Sequence, residues 1–200
     1  MEVDESAGPV VNPLRIHIVC TANVCRSPLA ERLLAQKLEA AFPGSFLVSS
    51  SGTRADGRIP LDPAVVRELS ERGLQPPEGR RPLGAQDLSK ADLVLTMEQM
   101  HRGVVLDRWP QLLRRSFTLV EFARLESAAA DGGRREGESF RERWASALVD
   151  LTQHRSIVPA GAQGNDVADP YGLGPERFAE ALAQIESCLD QVLRFAKRVM

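Results

Sequence analysis

Long apolar runs, a basic surface and a cysteine framework are all missing from this chain, and each absence removes a class of function. No stretch approaches the roughly 20 apolar residues of a membrane-spanning helix. The acidic, proline-bearing start MEVDESAGPVVNP lacks the basic flank and apolar centre of a secretory signal. Lys and Arg number 25 against 27 Asp and Glu, a formal charge of −2. They nowhere cluster with interleaved aromatics, so neither nucleic acid nor an anionic membrane is indicated as a partner. Cysteine is confined to Cys20, Cys25 and Cys188. That odd, sparse set builds no disulfide framework and suits reduced thiols in a cytoplasmic protein.

What is present fits one globular domain: 200 residues, 43% hydrophobic and 26% charged, are enough to bury a real core. Residues 1–13 have the composition of a flexible leader, and the domain is expected over 14–200. The run 14–19 is β-rich and apolar, as in a buried parallel strand, and Leu29, Leu33, Leu34 and Leu38 then share one helical face up to the Pro43-Gly44 stop. A second strand is expected over 46–50, a helix from Pro63 to about Arg72 with Gly73 at its end, a third strand over 91–97 followed by a helix from Glu98, and a short fourth strand over 117–120. Beyond it come helical pieces to about Ala130 and over 140–154, a loop over 155–169, and a long amphipathic helix over 175–199. Strands alternating with helices predict an α/β fold of three layers, a central four-stranded parallel sheet flanked by helices. Internal repeats are absent.

The informative segment is VCTANVCRSPLAE, in which Cys20 ends the first strand and Arg26 opens the first helix with five residues between them. A loop of this length can turn the backbone N–H groups of Thr21, Ala22, Asn23, Val24 and Cys25 toward one tetrahedral anion. The helix N-terminus adds its positive dipole end, and Arg26 can return a bidentate fork to two phosphate oxygens. The same positive field favours a Cys20 thiolate beneath the phosphorus. Ser27 can donate its hydroxyl to that sulfur, Asn23 tolerates positive φ and can strap the loop, and Pro28 sits where a helix needs no N–H. A strand-end Cys is ordinarily a small buried hydrophobe. The strand before it, the helix after it and the Asn inside select a phosphate loop between strand one and helix one.

This segment resembles the signature of the low-molecular-weight protein-tyrosine-phosphatase family. The resemblance continues in order through SSGT at Ser50 to Thr53, Asp62-Pro63 opening a helix, Arg81 before the ADLVLTM strand, and Asp169-Pro170-Tyr171-Gly172 before the last helix. It omits residues 1–13 and about 122–165, the latter expected as an insertion. It implies a cysteine-dependent phosphomonoester hydrolase working through a thiophosphate on Cys20, with Asp169 as general acid and base, Pro170 stiffening its loop and Tyr171 walling the cleft. Ser51 is implied to support the loop through Asn23, and Cys25 to be a reversible disulfide partner of Cys20. No cofactor enters the scheme.

The substrate implied is a phosphotyrosine protein or a small aryl phosphate. Relatives acting on phosphoarginine carry Thr at the position of Val24. The loop after SGT, Arg54-Ala55-Asp56-Gly57-Arg58, lacks the aromatic of many relatives, and Gly172 replaces a second aromatic, so the rim reads as polar. Alternatives on the same loop are a phosphoarginine phosphatase, a thiol-coupled arsenate reductase, for which no Cys lies between Cys25 and Cys188, and a phosphate-binding module, which would need no acid. A metal site finds no second Cys pair, and His17, His101 and His154 are scattered. His17 reads as a packed or edge side chain, His101 and His154 as solvated helix residues. Cys188, Trp109 and Trp144 read as packing residues, and Arg114-Arg115 as a solvated face.

Overall fold

The computed structural model describes residues 12–78, 80–129, 139–156 and 164–200. Most of the expected leader and the 131–138 break therefore lie outside the described residues. Four strands, β1 (Leu14–Cys20), β2 (Phe46–Gly52), β3 (Leu93–Thr96) and β4 (Ser116–Thr118), form one parallel sheet in the order β2-β1-β3-β4. Between and after them run α1 (Arg26–Ala41), α2 (Pro63–Glu71), α3 (Ala85–Ser89), α4 (Gln99–Arg108), α5 (Leu119–Ala128), α6 (Phe140–Gln153) and α7 (Pro175–Val199).

Strand periodicity of two divides the core. Leu14, Ile16, Ile18, Leu93, Leu95 and Phe117 face a large layer with α1, α5, α6 and α7, whereas Val19 and Val94 face a smaller cluster with Leu83, Leu88, Val105 and Leu112. Two capping boxes start helices on the larger side: Thr118 with Glu121 for α5 and Ser139 with Glu142 for α6. The first explains why the fourth strand stops at Thr118 rather than reaching Val120: Thr118 is already a helix N-cap.

The stretch expected as an insertion over 122–165 includes residues of the core. Trp144 on α6 is buried and meets Phe195 of α7 edge-on at 4.8 Å and Phe46 of β2 at 5.5 Å. Each such pair adds about 0.5–1.5 kcal/mol beyond its area burial. Cys188 is buried on α7, and Trp109 is half-buried against the smaller cluster.

The order β2-β1-β3-β4 places a topological switch point between β1 and β3. The chain leaves β1 toward one edge and β3 toward the other, which opens a crevice outside their carboxyl ends. Cys20 is the last residue of β1, and α4 begins three residues after β3. The Cys-x5-Arg loop therefore lies at this crevice.

Candidate active site

The loop from Cys20 to Arg26 is held by its own asparagine. Asn23 is the non-glycine residue with positive φ among those described, at 56°, and its N–H donates to Cys20 Sγ at 3.3 Å. Its side chain turns into the fold, where Nδ2 donates to Ser27 Oγ (3.0 Å) and Ser50 Oγ (2.8 Å), while Oδ1 accepts from the Arg81 N–H (3.0 Å). Its carbonyl accepts from Arg80 Nη1 at 3.0 Å. Because Asn23 donates into Ser27 Oγ, the serine's own proton can point at Cys20 Sγ, 3.0 Å away and nearer than its other acceptor, the Ser51 carbonyl at 3.5 Å. A hydroxyl so aimed stabilises negative charge on sulfur.

The network ends on a buried carboxyl. Ser50 Oγ donates to Glu31 Oε2 at 2.6 Å, and burial pushes the Glu31 carboxyl above the ordinary carboxylate range against the opposing pull of Ser50 and nearby arginines. The supporting serine is thus Ser50, not Ser51 as the sequence suggested. Adjacent residues of a strand face opposite sides. Ser50 faces α1 with Asn23 and Glu31, and Ser51 Oγ bonds His17 Nε2 on the other face at 2.7 Å. His17 bonds Ser49 as well, at 2.8 Å, and burial lowers its pKa to about 4.

Gly52 closes the loop from behind. Thr53 N–H donates to the Cys20 carbonyl (2.9 Å) and Arg54 N–H to that of Thr21 (2.8 Å). A Cβ on Gly52 would lie 2.5 Å from the Thr21 carbonyl oxygen, so only glycine lets the two backbones approach this closely.

Arg26 is 2% exposed and reaches across the switch point. Its Nη1 ion-pairs with Glu98 and donates to the Val167 carbonyl at 2.8 Å, and its Nη2 meets Asp169 Oδ2 at 2.7 Å. Val167 is anchored in turn, its N–H donating to the Met97 carbonyl at 2.8 Å. An Asp 143 positions along the chain is thereby carried to the loop.

Glu98 and His101 were not singled out for the site from the sequence. Glu98 is the residue before α4, just past the end of β3, a position that faces the crevice in any sheet of this order. His101, expected to be solvated, is fully buried and joins Thr21 Oγ1 through Nε2 at 2.8 Å. In the first turn of α4, it lies against the loop across the crevice, and burial holds its imidazole below the usual histidine range. His154 is half-buried, bonding the Asp150 carbonyl through Nδ1 at 2.8 Å.

Cys20, Thr21, Ala22, Val24, Cys25, Arg26 and Asp169 line a cavity of about 220 Å³ walled by Ile59 and Tyr171. Its volume is below the 300–1,000 Å³ range of drug-sized sites, room for one phosphorylated group rather than a whole extended ligand. Asn23, Ser27 and Ser51 stand behind this cavity, because their side chains are turned inward to bond the sheet and α1. The rim is less polar than the sequence suggested. Arg58 folds onto Asp56 at 2.7 Å, and the next residue, Ile59, supplies an apolar wall beside half-exposed Tyr171.

A sequence model of the family described as low molecular weight phosphotyrosine protein phosphatase matches residues 15–131. The chain belongs to this family. It is 33% identical over 128 residues to a probable low molecular weight protein-tyrosine-phosphatase, EpsP, of Ralstonia nicotianae, covering 64% of this chain and 83% of that protein. It is 29% identical over 179 residues to a low molecular weight protein-tyrosine-phosphatase of Streptomyces coelicolor, covering 86% and 87%. Among solved structures, the YwlE arginine phosphatase of Geobacillus stearothermophilus superimposes with a TM-score of 0.63 at 27% identity, covering 91% of this chain and 92% of that one. Membership makes the chain a cysteine-based phosphatase of the protein-tyrosine-phosphatase type, and the four-stranded parallel sheet with its loop between β1 and α1 is the fold of the family.

Proposed function

We propose that this phosphatase hydrolyses phosphotyrosine in proteins, or a comparable aryl phosphate, with Cys20 as nucleophile, Arg26 as phosphate clamp and Asp169 as acid and base. The observation that carries this reading is the convergence of all three on one cavity of about 220 Å³. Cys20 Sγ attacks phosphorus while the loop amides, the α1 N-terminus and Arg26 hold the non-bridging oxygens. Asp169 gives its proton to the departing phenolic oxygen as the P–O bond breaks. Asp169 then takes a proton from water, water oxygen attacks the thiophosphate, and the P–S bond breaks to return the thiolate, which receives the Ser27 hydroxyl hydrogen bond. Arg26 must exchange Asp169 for the substrate's phosphate to free the acid, and Glu98 holds the guanidinium at the mouth during the exchange.

The walls support an aryl substrate. Ile59 and Tyr171 offer apolar surface to a ring, and Val24, lining the cavity with methyls, has no hydrogen-bonding group for a phosphoguanidinium. The likeness to an arginine phosphatase favours phosphoarginine as the second reading. Three free cysteines, one of them the proposed nucleophile, support a reducing, cytoplasmic setting.

The test is phosphate release from p-nitrophenyl phosphate, a phosphotyrosine peptide and a phosphoarginine peptide, with Cys20→Ser and Asp169→Asn. Cys20→Ser is expected to be inactive. Asp169→Asn should lose about 10²–10⁴-fold, the scale of a general acid, and lose most on the poorest leaving groups. Absence of phosphate release by the unmodified protein rejects the reading, equal losses across leaving groups reassign the acid, and faster turnover of phosphoarginine selects the second substrate.

A further inference from the structure

A second cavity, about 720 Å³, adjoins the catalytic one and is more than three times its volume. Tyr171 lines both. The larger cavity lies between α2 and α7, which both start at the catalytic mouth. Asp62, the cap of α2, donates its N–H to the Val24 carbonyl of the phosphate loop at 2.9 Å, and α7 begins directly after the 169–174 loop that carries Asp169. At the other end Arg72 Nη1 donates to Glu186 Oε1 at 2.5 Å, closing the space between the helices. The α2 wall of the channel runs over seven residue steps from Ala64 to Glu71, about 10 Å at about 1.5 Å per residue, and Pro175 and Phe178 of α7 face it. An extended chain at about 3.3 Å per residue fills it with about three residues.

We infer that this channel binds the polypeptide segment flanking the phosphorylated residue, and that it selects a segment with an apolar and a basic side chain. The inference rests on the phosphoprotein reading above. A phosphorylated side chain held in the small cavity leaves its neighbouring residues at the Tyr171 rim, where the channel opens. Pro63, Pro170, Tyr171, Pro175 and half-buried Phe178 give the apolar surface. The charged groups along the channel are Asp62, Glu68 and Glu71 against Arg67, with the Arg72–Glu186 pair at its end; Arg72 also pairs with Glu68 at 2.6 Å, so Asp62 and Glu71 are the carboxylates that leave an acidic balance complementary to a basic side chain. A small aryl phosphate is complete within the catalytic cavity and does not reach α2.

The test uses the full chain and two phosphotyrosine peptides, with Lys and Leu filling the three positions on each side of phosphotyrosine in one and Glu and Leu in the other. For each, kcat/KM is divided by the same enzyme's value on p-nitrophenyl phosphate. The unmodified protein is expected to prefer the Lys peptide by about three- to fivefold, the scale of one exposed ion pair. Glu71→Lys, at an exposed position in the last turn of α2, should abolish or invert that preference. Ala64→Trp, which fills the mouth of the channel, should lower the ratio for both peptides about tenfold. No charge preference in the unmodified protein, a preference unaltered in Glu71→Lys, or an unaltered ratio in Ala64→Trp overturns the inference. Failure to hydrolyse p-nitrophenyl phosphate overturns the underlying reading instead.

Discussion

Replacing Gly52 by Ala tests whether the phosphate loop depends on backbone contact with β2. The added Cβ would lie 2.5 Å from the Thr21 oxygen and 2.9 Å from both the Ala22 carbonyl carbon and the Asn23 nitrogen. Ordinary carbon–oxygen approach is about 3.3–3.6 Å, so the two backbones must part by about 1 Å. All three contacts are main-chain atoms, so no side-chain rotation relieves them. β2 is held to β1 along seven residue pairs from Leu14↔Phe46 to Cys20↔Gly52, whereas the loop between Cys20 and Arg26 belongs to no strand or helix and is the part that yields. Its movement carries the Asn23 N–H away from Cys20 Sγ and the cradle away from the phosphorus. A displacement of about 1 Å is expected to cost about 100-fold in kcat, and the overpacking about 1–3 kcal/mol of stability. The assay is kcat on p-nitrophenyl phosphate at a temperature where urea unfolding shows the variant fully folded. Gly57→Ala serves as the control, since a Cβ there meets nothing within 4 Å. A folded Gly52→Ala with kcat within about threefold of the unmodified protein would refute the reasoning.

Two further outcomes follow from the buried titratable groups. Burial raises the folded-state pKa of Glu31, so the folded protein holds that proton more tightly than the unfolded chain. The associated stabilisation is full at pH below the ordinary carboxylate range and is lost as pH rises through the raised value. Glu31→Gln removes the titration, so the urea midpoint of the unmodified protein relative to this variant should fall as the pH rises above the ordinary carboxylate range; a constant difference would show that Glu31 titrates as an ordinary carboxyl. Burial pushes the Cys25 thiol up to about 12, with Asp62 and Asp169 adding to it, and the Cys188 thiol up to about 11. Brief iodoacetamide treatment near neutral pH followed by peptide mapping should therefore modify Cys20 alone, and comparable labelling of Cys25 or Cys188 would contradict this order of reactivity.

Features that depend on neighbours in sequence were legible before the fold was known. The apolar run before Cys20, the five-residue spacing to Arg26 and the leucine face of α1 define a strand–loop–helix by local geometry alone, and Asp169-Pro170 ahead of a long amphipathic pattern marked the second half of the site. Tertiary structure decided the features that turn on pairing and burial. Parallel register between β1 and β2 puts Ser50 rather than Ser51 against Asn23, because one step along a strand reverses the face. The β1–β3 switch point brings Glu98 to Arg26 and buries His101 against Thr21, although the local pattern of α4 reads as exposed. The turn at Arg58-Asp56 exposes Ile59 to the cavity, and the aromatic cluster around Trp144 draws α6 into the core. In this protein the chemistry of the loop was written in one contiguous segment, because a phosphate cradle is made of consecutive amides. The partners that hold and wall it come from β2, β3, α4 and the 164–171 segment, which only the packing of the sheet brings together.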